Sequence, residues 1–385
     1  GVYAEPSVVD RAAWEFAEVE AMLDAAEQLY GPYLWGRYDL LVLPPSFPYG
    51  GMENPRLTYL TPTLLAGDRS LVNVVAHEIA HSWSGNLVTN ATWNDFWLNE
   101  GFTSYVELRI MEAIRGADYA EMLWGLSLTD LESAFEQHGI DSEKTHLYID
   151  VSGINPDDGL ITVAYEKGAA FLRRLEDYVG RERWDDFLIR YFETHAFESI
   201  DTTAFIVYLN DNLLDAEYRG EPPSIDAWVY GPGLPDDYIR PQSEAFAAVE
   251  AQLRSWLDGL PVADLETTAW STQEWLHFLN ELPTVLGAGQ LAALDGAFGL
   301  TISDNAEIQA AWYEVAIRND YEPVYDALEK FLVAVGRRKF LQPLYTALAA
   351  DAEGLEFARR VYAQARPGYH AVSVTTIDGI LGWEA

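Results

Sequence analysis

The chain has 385 residues, of which 49% are hydrophobic and 22% charged, a composition typical of a folded globular protein of two to three domains. Its 24 basic and 61 acidic residues give a net charge of −37, which repels nucleic-acid phosphates and anionic membrane surfaces. Cysteine is absent, so disulfides, thiolate metal sites and cysteine nucleophiles are excluded, and any metal must be bound by histidine and carboxylate groups.

The first 60 residues predict a helix followed by a small sheet. Residues 7–30 carry apolar side chains at helical spacing up to a stop at Gly31-Pro32. The apolar run 38–43 ends at two prolines, and residues 57–60 follow a glycine-rich turn. Both short segments therefore predict strands.

The remainder predicts a mainly α protein (α+β overall). Helical patterns cover residues 71 to about 115, 119–135, 164–179, 184–194 and 202–214. A cluster of proline and glycine at 230–235 predicts a domain boundary, giving domains 1–235 and 236–385. The second domain predicts short antiparallel helices in a solenoid-like arrangement, with breaks at prolines, at Asp304 and at glycines that include Gly289 and Gly354.

The motif His77-Glu78-Ile79-Ala80-His81 lies in a predicted helix. Histidines at i and i+4 share one face, so both imidazoles can bind one metal ion while Glu78 lies beside it. By itself the motif also fits a helix with two histidines at the surface or in the core.

Glu100 supplies a third ligand. Eighteen residues separate it from His81, and it begins a second predicted helix. Two histidines and one glutamate leave a fourth position for water, which is typical of a catalytic zinc site rather than a structural one. We therefore expect one zinc ion, with Glu78 as the base that takes a proton from water.

The sequence resembles the gluzincin aminopeptidases, in particular the branch of leukotriene-A4 hydrolase and aminopeptidase B. The resemblance covers most of the chain. It rests on the zinc motif continued through Ser82-Trp83-x-Gly85-Asn86-Leu87-Val88-Thr89-Asn90, and on Pro44-Pro45-Ser46-Phe47-Pro48-Tyr49-Gly50-Gly51-Met52-Glu53-Asn54-Pro55, Phe96-Trp97-Leu98-Asn99-Glu100-Gly101, Tyr165-Glu166-Lys167-Gly168, Pro232-Gly233-Leu234-Pro235 and Gly336-Arg337-Arg338-Lys339-Phe340. It implies a thermolysin-like catalytic domain, a helical C-terminal domain and zinc-dependent aminopeptidase activity.

The resemblance also implies how a substrate amine is recognised. Glu53 matches the glutamate that binds the free α-ammonium, and Gly50, Gly51 and Met52 belong to the same signature. Tyr49 matches a position that shapes the pocket for the first side chain. Without the family, a Gly-Gly turn followed by an acid is equally an ordinary hairpin.

Tyr165 matches the family tyrosine that donates a hydrogen bond to the oxyanion of the tetrahedral intermediate. Considered alone, it also fits a core tyrosine of an amphipathic helix. Arg337 and Lys339 match the pair that binds the far carboxylate of short peptides or of a lipid substrate, although a basic cluster is also typical of a solvated face.

Lipid epoxide hydrolysis is a rival function, and two positions bear on it. Asp157 matches an acid that positions water in that reaction, yet Asp157-Asp158-Gly159 is also a good turn sequence. Leu160 stands where the hydrolase has a second tyrosine, which argues against epoxide chemistry. A non-catalytic peptide-binding protein is a second rival, because the chain begins after the family's β-rich N-terminal domain.

The expected partners are peptides with a free N-terminus. We expect no nucleic acid, no membrane association and a monomer. A cytoplasmic location is favoured over a periplasmic or secreted one, in a bacterium. The acid-rich, lysine-poor composition also suggests a salt-tolerant source, although compositional drift explains it equally well.

Overall fold

The computed structural model describes residues 1–153, 162–214, 218 and 220–384. The chain divides into two compact units, each built from separate stretches of sequence. The first unit comprises Gly1–Ala17, Asp39–Val72 and Glu244–Ala385, and the second Glu18–Tyr38 and Asn73–Ser243. The domain boundary predicted after residue 235 stays a prediction.

Helices dominate the described residues, which confirms the mainly α class. Within the described ranges, every helix is too short or too polar to cross a lipid bilayer. In chain order the α-helices are α1 (Val9–Glu15), α2 (Val19–Tyr30), α3 (Asn73–Ala80), α4 (Trp97–Arg115), α5 (Ala117–His138), α6 (Thr162–Val179), α7 (Arg181–Thr194), α8 (Thr202–Asn212), α9 (Glu244–Leu257), α10 (Thr272–Asn280), α11 (Ala288–Phe298), α12 (Ala306–Arg318), α13 (Tyr325–Ala334), α14 (Arg338–Leu348), α15 (Ala352–Ala365) and α16 (Ala371–Leu381).

The first unit contains the expected small sheet. Its strands are β1 (Val2–Tyr3), β2 (Asp39–Val42), β3 (Gly51–Met52) and β4 (Leu57–Leu60), in the spatial order β1-β2-β4-β3. The β1–β2 and β2–β4 pairs are parallel, whereas β3 runs antiparallel to β4. Leu40, Val42 and Leu60 are buried, as alternation along a strand with one covered face requires. Because β3 is the last strand in this order, it lies at an edge of the sheet.

The helices α9 to α16 complete the first unit. From α10 onward, neighbours two apart in sequence pack together, as α10 with α12 and α14 with α16. This pattern is typical of a helical solenoid, and it buries one continuous apolar core. Polar caps begin several of these helices: Ser271 and Glu274 form a reciprocal capping box at α10.

The second unit is organised around α4. Almost all of its residues from Trp97 to Met111 are buried, as expected of a helix covered on several sides. It packs most extensively against α6 and also against α2, α3 and α5. A short parallel pair joins β5 (Val88–Asn90) to β6 (Glu198–Ile200).

Three sequence expectations are wrong in detail. The predicted helix over 7–30 is two helices, α1 and α2, and Glu15 at the end of α1 accepts hydrogen bonds from the amides of Gly67 and Arg69. The helical stretch 71–115 is interrupted by β5. Gly289 and Gly354 lie inside helices, not between them, because α11 begins one residue before Gly289 and α15 begins two residues before Gly354.

Candidate active site

The three predicted metal ligands converge in the second unit. His77 lies on α3, and His81 extends that helix by one residue through a bond from its amide to the His77 carbonyl (3.2 Å). Glu100 occupies the first turn of α4. Its Oε2 atom lies 3.2 Å from His77 Nε2 and 3.5 Å from His81 Nε2. The packing of α3 on α4 therefore brings together residues that the sequence separates.

These distances fit a zinc ion. Ligand atoms about 2.0–2.1 Å from zinc lie about 3.3 Å from one another in a tetrahedron. The two measured N–O separations, 3.2 and 3.5 Å, bracket that value. The donor set of two imidazoles and one carboxylate also suits zinc, and it leaves one tetrahedral position for another ligand.

Glu107 orients the first ligand. Its Oε2 atom lies 2.9 Å from His77 Nδ1, and its Oε1 atom accepts a hydrogen bond from Asn73 Nδ2 (2.9 Å). A carboxylate only accepts hydrogen bonds, so Nδ1 of His77 carries the proton and Nε2 is left for the metal. This arrangement fixes both the tautomer and the ring orientation.

His81 is held in a similar way by a buried polar cluster. Its Nδ1 atom lies 3.0 Å from the Ser84 carbonyl oxygen, 3.1 Å from Asn99 Oδ1 and 3.1 Å from Thr103 Oγ1. Gly85 leaves room for this cluster, since a Cβ there would lie 2.3 Å from Asn99 Oδ1. Its φ of 109° is also one that favours glycine.

Neighbouring charges and hydrogen bonds shift the pKa values of two of these ligands, Glu100 and His77. Burial raises the pKa of Glu100, but the charge of His81 and hydrogen bonds from both histidines outweigh burial and lower that pKa to about 2. Burial lowers the pKa of His77, whereas its hydrogen bonds to Glu100 and Glu107 raise it well above its usual value. Metal binding would replace a proton between these atoms, so it is coupled to proton release.

The two predicted catalytic residues lie in the same unit. Glu78 follows His77 on α3 and is buried, with 5% of its surface exposed. Tyr165 lies in the first turn of α6, and its ring is nearly parallel to that of His77, with centroids 6.0 Å apart. Phe96 packs edge-on against Tyr165 on another side. The structure thus places Tyr165 next to a predicted ligand.

Two glycines allow this approach of α6 to α4. A Cβ on Gly168 would lie 2.7 Å from the Cα of Gly101, and a Cβ on Gly101 would lie equally close to Gly168. Only residues without side chains permit such a close backbone crossing. Glu100 precedes Gly101 directly, and Tyr165 is three residues before Gly168, so the crossing fixes their separation.

Lys167, on the same helix, is completely buried. Its Nζ atom donates hydrogen bonds to the carbonyl oxygens of Thr145 (2.9 Å) and Gly231 (2.7 Å). Burial lowers the pKa of its ammonium group to about 7. Lys167 therefore ties α6 to two loops of the second unit.

The predicted amine-binding signature lies in the first unit. Gly51 and Met52 form β3, and the Gly50 carbonyl accepts a hydrogen bond from the Thr61 amide (3.0 Å). Glu53 follows β3 directly and is partly exposed. Tyr49 precedes the strand, and its ring packs edge-on against Phe47.

The predicted carboxylate-binding pair also lies in the first unit, where Glu307 joins its two members. Arg337 Nη1 donates to Glu307 Oε1 (2.8 Å) and to Thr63 Oγ1 (3.2 Å), and Lys339 Nζ lies 3.1 Å from Glu307 Oε2. The amide of Gly336 donates to the Pro45 carbonyl (2.8 Å). The start of α14 is thereby tied to the segment that precedes Tyr49.

Sequence reasoning missed the supporting residues. Glu107 follows Glu100 by seven positions on one helix, so the two share a face, and this spacing was an available signal. Glu307 gave no such signal, because its contacts with Arg337 and Lys339 join two helices 20 residues apart in sequence. Asp157, a predicted substrate-binding residue, lies outside the described residues, as does Leu160.

Comparisons with known proteins show which family the chain resembles. The family model for the peptidase family M1 domain matches residues 14–217, and that for leukotriene A4 hydrolase, C-terminal, matches residues 270–381. Leucine aminopeptidase 2 of Ajellomyces capsulatus is 36% identical over 381 residues, which cover 96% of this chain and 61% of that protein. Leucine aminopeptidase 2 of Neurospora crassa is 37% identical over 388 residues, covering 98% and 58%.

A solved structure is similar over nearly the whole chain. Yeast LTA4 hydrolase in complex with bestatin has a TM-score of 0.88 at 30% identity, and the match covers 99% of this chain and 65% of that one. The chain spans about 60% of the length of the curated relatives named above. These matches confirm the family resemblance and the expected fold class. The two named relatives are fungal, so the comparisons give no support to a bacterial source.

Proposed function

The chain belongs to peptidase family M1, and from this membership and the geometry of its site we propose that it is a zinc-dependent aminopeptidase. The observation that carries the proposal is that Glu100 Oε2 lies 3.2 Å from His77 Nε2 and 3.5 Å from His81 Nε2, separations that suit ligands of one tetrahedral zinc ion. The reaction is hydrolysis of the peptide bond that follows a free N-terminal residue.

His77, His81 and Glu100 would hold one zinc ion, which when bound supplies Lewis-acid polarisation of the carbonyl group and lowers the pKa of water. Glu78 is the proton carrier. It takes a proton from the attacking water and delivers it to the departing amine, so it acts first as base and then as acid. Because Glu78 is buried, its carboxylate exchanges protons with bulk water only slowly.

Tyr165 donates its hydroxyl proton in a hydrogen bond to the oxyanion of the tetrahedral intermediate. A neutral donor aimed at charge that develops during the reaction stabilises the transition state more than the bound substrate. Removal of this hydroxyl should therefore lower kcat more than it raises KM.

The two ends of a short peptide are recognised by groups of the first unit. Glu53 binds the α-ammonium group, and Gly50, Gly51 and Met52 present backbone beside it, while Tyr49 shapes the pocket for the first side chain. Arg337 and Lys339 bind a free C-terminal carboxylate. Charge supports this assignment, because carboxylates outnumber cations strongly elsewhere in the chain.

Hydrolysis of a panel of amino-acid anilides tests the proposal, with zinc, with chelator and with Glu78→Gln. We expect chelator-sensitive turnover that Glu78→Gln abolishes while it retains stoichiometric zinc by elemental analysis. Glu136→Gln, which neutralises an exposed carboxylate of α5, is the matched control and should keep full activity. Stoichiometric zinc without turnover in the wild type would contradict the proposal and favour a peptide-binding role.

The proposal extends to the state of the enzyme. It acts as a monomer, and it takes peptides rather than nucleic acids, whose phosphates the net charge of −37 repels. Light scattering coupled to gel filtration measures the first property, and a dimer mass would contradict it.

A further inference from the structure

The carboxylate-binding pair of the first unit already has an internal carboxylate. Glu307 is nearly buried, with 9% of its side chain exposed, and it contacts Arg337 through one oxygen and Lys339 through the other. Arg337 is also nearly buried, at 6%, whereas Lys339 is 55% exposed. The three side chains form what we call the Glu307 cluster.

The Glu307 cluster carries one excess positive charge. Burial raises the pKa of Glu307, but the charges and hydrogen bonds of Lys339 and Arg337 outweigh burial and hold it below its usual value. Glu307 is therefore ionised at neutral pH, and two cations surround one anion. Further anion binding is favoured at this point in a chain whose overall charge is −37.

The cluster also has an unused donor. Within the part of the chain that the structure describes, Arg337 Nε is buried and has no hydrogen-bond partner. A buried donor without an acceptor is costly, and a carboxylate that enters the cluster can satisfy it. The guanidinium group thus has capacity for a second carboxylate besides Glu307.

We propose that Glu307 is a specificity-determining residue that competes with the substrate's C-terminal carboxylate for Arg337 and Lys339, and so sets the preference for peptides with a free C-terminus. The inference rests on the proposed aminopeptidase function. It differs from a scaffold role, in which Glu307 only holds Arg337 in a binding-competent orientation. The two roles predict opposite effects when the Glu307 charge is removed.

The test compares kcat/KM for Leu-Ala-Ala with that for Leu-Ala-Ala amide, which lacks the terminal charge. The ratio of the two values cancels changes that affect both peptides alike. Glu307→Gln raises the cluster charge from +1 to +2 and should raise the acid-to-amide ratio roughly three- to tenfold. Lys339→Gln lowers the charge to zero and should lower the ratio by a similar factor.

The double variant Glu307→Gln/Lys339→Gln restores a charge of +1 and should return the ratio to within about twofold of the wild type. It also keeps the test decisive if Glu307→Gln alone fails to fold, because it removes the Lys339 charge together with the Glu307 charge, and its ratio is then compared with that of Lys339→Gln. Glu314→Gln is the matched control: Glu314 lies on the same helix and pairs with Arg318 instead.

A ratio that falls or stays unchanged in Glu307→Gln, together with a double variant whose ratio is no higher than that of Lys339→Gln alone, would overturn the inference in favour of the scaffold role. Failure of the aminopeptidase proposal is distinguishable, since the wild type would then hydrolyse neither these peptides nor the anilides. If the wild type hydrolyses the anilides but Glu307→Gln leaves the acid-to-amide ratio unchanged, only the proposed competition by Glu307 is overturned.

Discussion

At the scale of single residues, Glu107 is the support most open to test. Its Oε2 atom lies 2.9 Å from His77 Nδ1 and holds the imidazole ring in place. Glu107→Gln replaces a charged acceptor with an amide, and we expect zinc affinity to fall about 10- to 100-fold because the His77 ring loses its orientation and basicity. Competition with a fluorescent chelator measures this affinity.

Glu112→Gln is the control for that measurement. Glu112 lies on the same helix, five residues further along, and pairs with Arg181 (2.6 Å). It should bind zinc as tightly as the wild type. Equal affinity in Glu107→Gln and Glu112→Gln would mean that Glu107 does not support the metal ligands.

The contrast between His77 and Glu307 illustrates what sequence can predict at this scale. Helical periodicity places His77 and His81 on one face, so a two-histidine site follows from local geometry. Glu100 reaches the two histidines only if α3 packs against α4. Catalytic zinc sites usually have three protein ligands, so a third ligand from a neighbouring helix is a reasonable expectation. Glu307 meets Arg337 only through the packing of α12 against α14, which no local pattern encodes.

At the scale of elements, the crossing of α4 and α6 depends on Gly168. Gly168→Ala places a Cβ 2.7 Å from the Gly101 Cα, so the helices must separate. We expect a loss of about 1–3 kcal/mol in the free energy of unfolding and a lower kcat, because Tyr165 moves with α6. Urea denaturation and anilide turnover measure the two effects.

Gly296→Ala is the matched substitution, in the interior of α11. A Cβ there contacts nothing within 4 Å, so the helical preference of alanine should stabilise the protein by about 0.5–1 kcal/mol. If Gly168→Ala proves as stable and as active as Gly296→Ala, the close crossing is not required.

The lowered pKa of Lys167, on α6, predicts that the free energy of unfolding depends on pH. Burial lowers its folded-state pKa to about 7, below the unfolded value of 10.5. Between these values the unfolded chain binds more protons, so the cost of burying the Lys167 charge is relieved as pH rises, by at most about 1.4 kcal/mol per pH unit. The unfolding free energy of the wild type should therefore rise relative to that of Lys167→Met from pH 7 to pH 9.

Lys330→Met provides the comparison, since Lys330 is exposed on α13. Its difference from wild type should stay constant over the same pH range. A constant difference for Lys167→Met as well would show that Lys167 titrates as an ordinary lysine.

At the scale of the whole molecule, the sequence predicts most helices but not how they group. The helical spacing of apolar residues and the turn-forming residues locate α5 to α8 to within a few residues, because each helix is amphipathic and bounded by residues that disfavour helix. The grouping of 1–17 and 39–72 with the C-terminal helices depends on contacts hundreds of residues apart, such as that between Gly336 and Pro45. Such contacts leave no trace in local composition.

The net charge of −37 gives a prediction for the molecule as a whole. Carboxylates exceed basic groups by 37, so self-repulsion opposes the compact state at low ionic strength. The Debye length falls from about 30 Å at 0.01 M salt to about 10 Å at 0.1 M, and most of the repulsion is screened over that interval. The Tm at pH 7.5 should therefore rise by several degrees between 0.01 and 0.3 M NaCl.

Scanning calorimetry across that range, with sucrose at matched osmolality as the control for solute exclusion, measures the effect. A flat Tm below 0.3 M would mean that the acidic groups lie too far apart to repel, and precipitation in molar salt would argue against a salt-tolerant source.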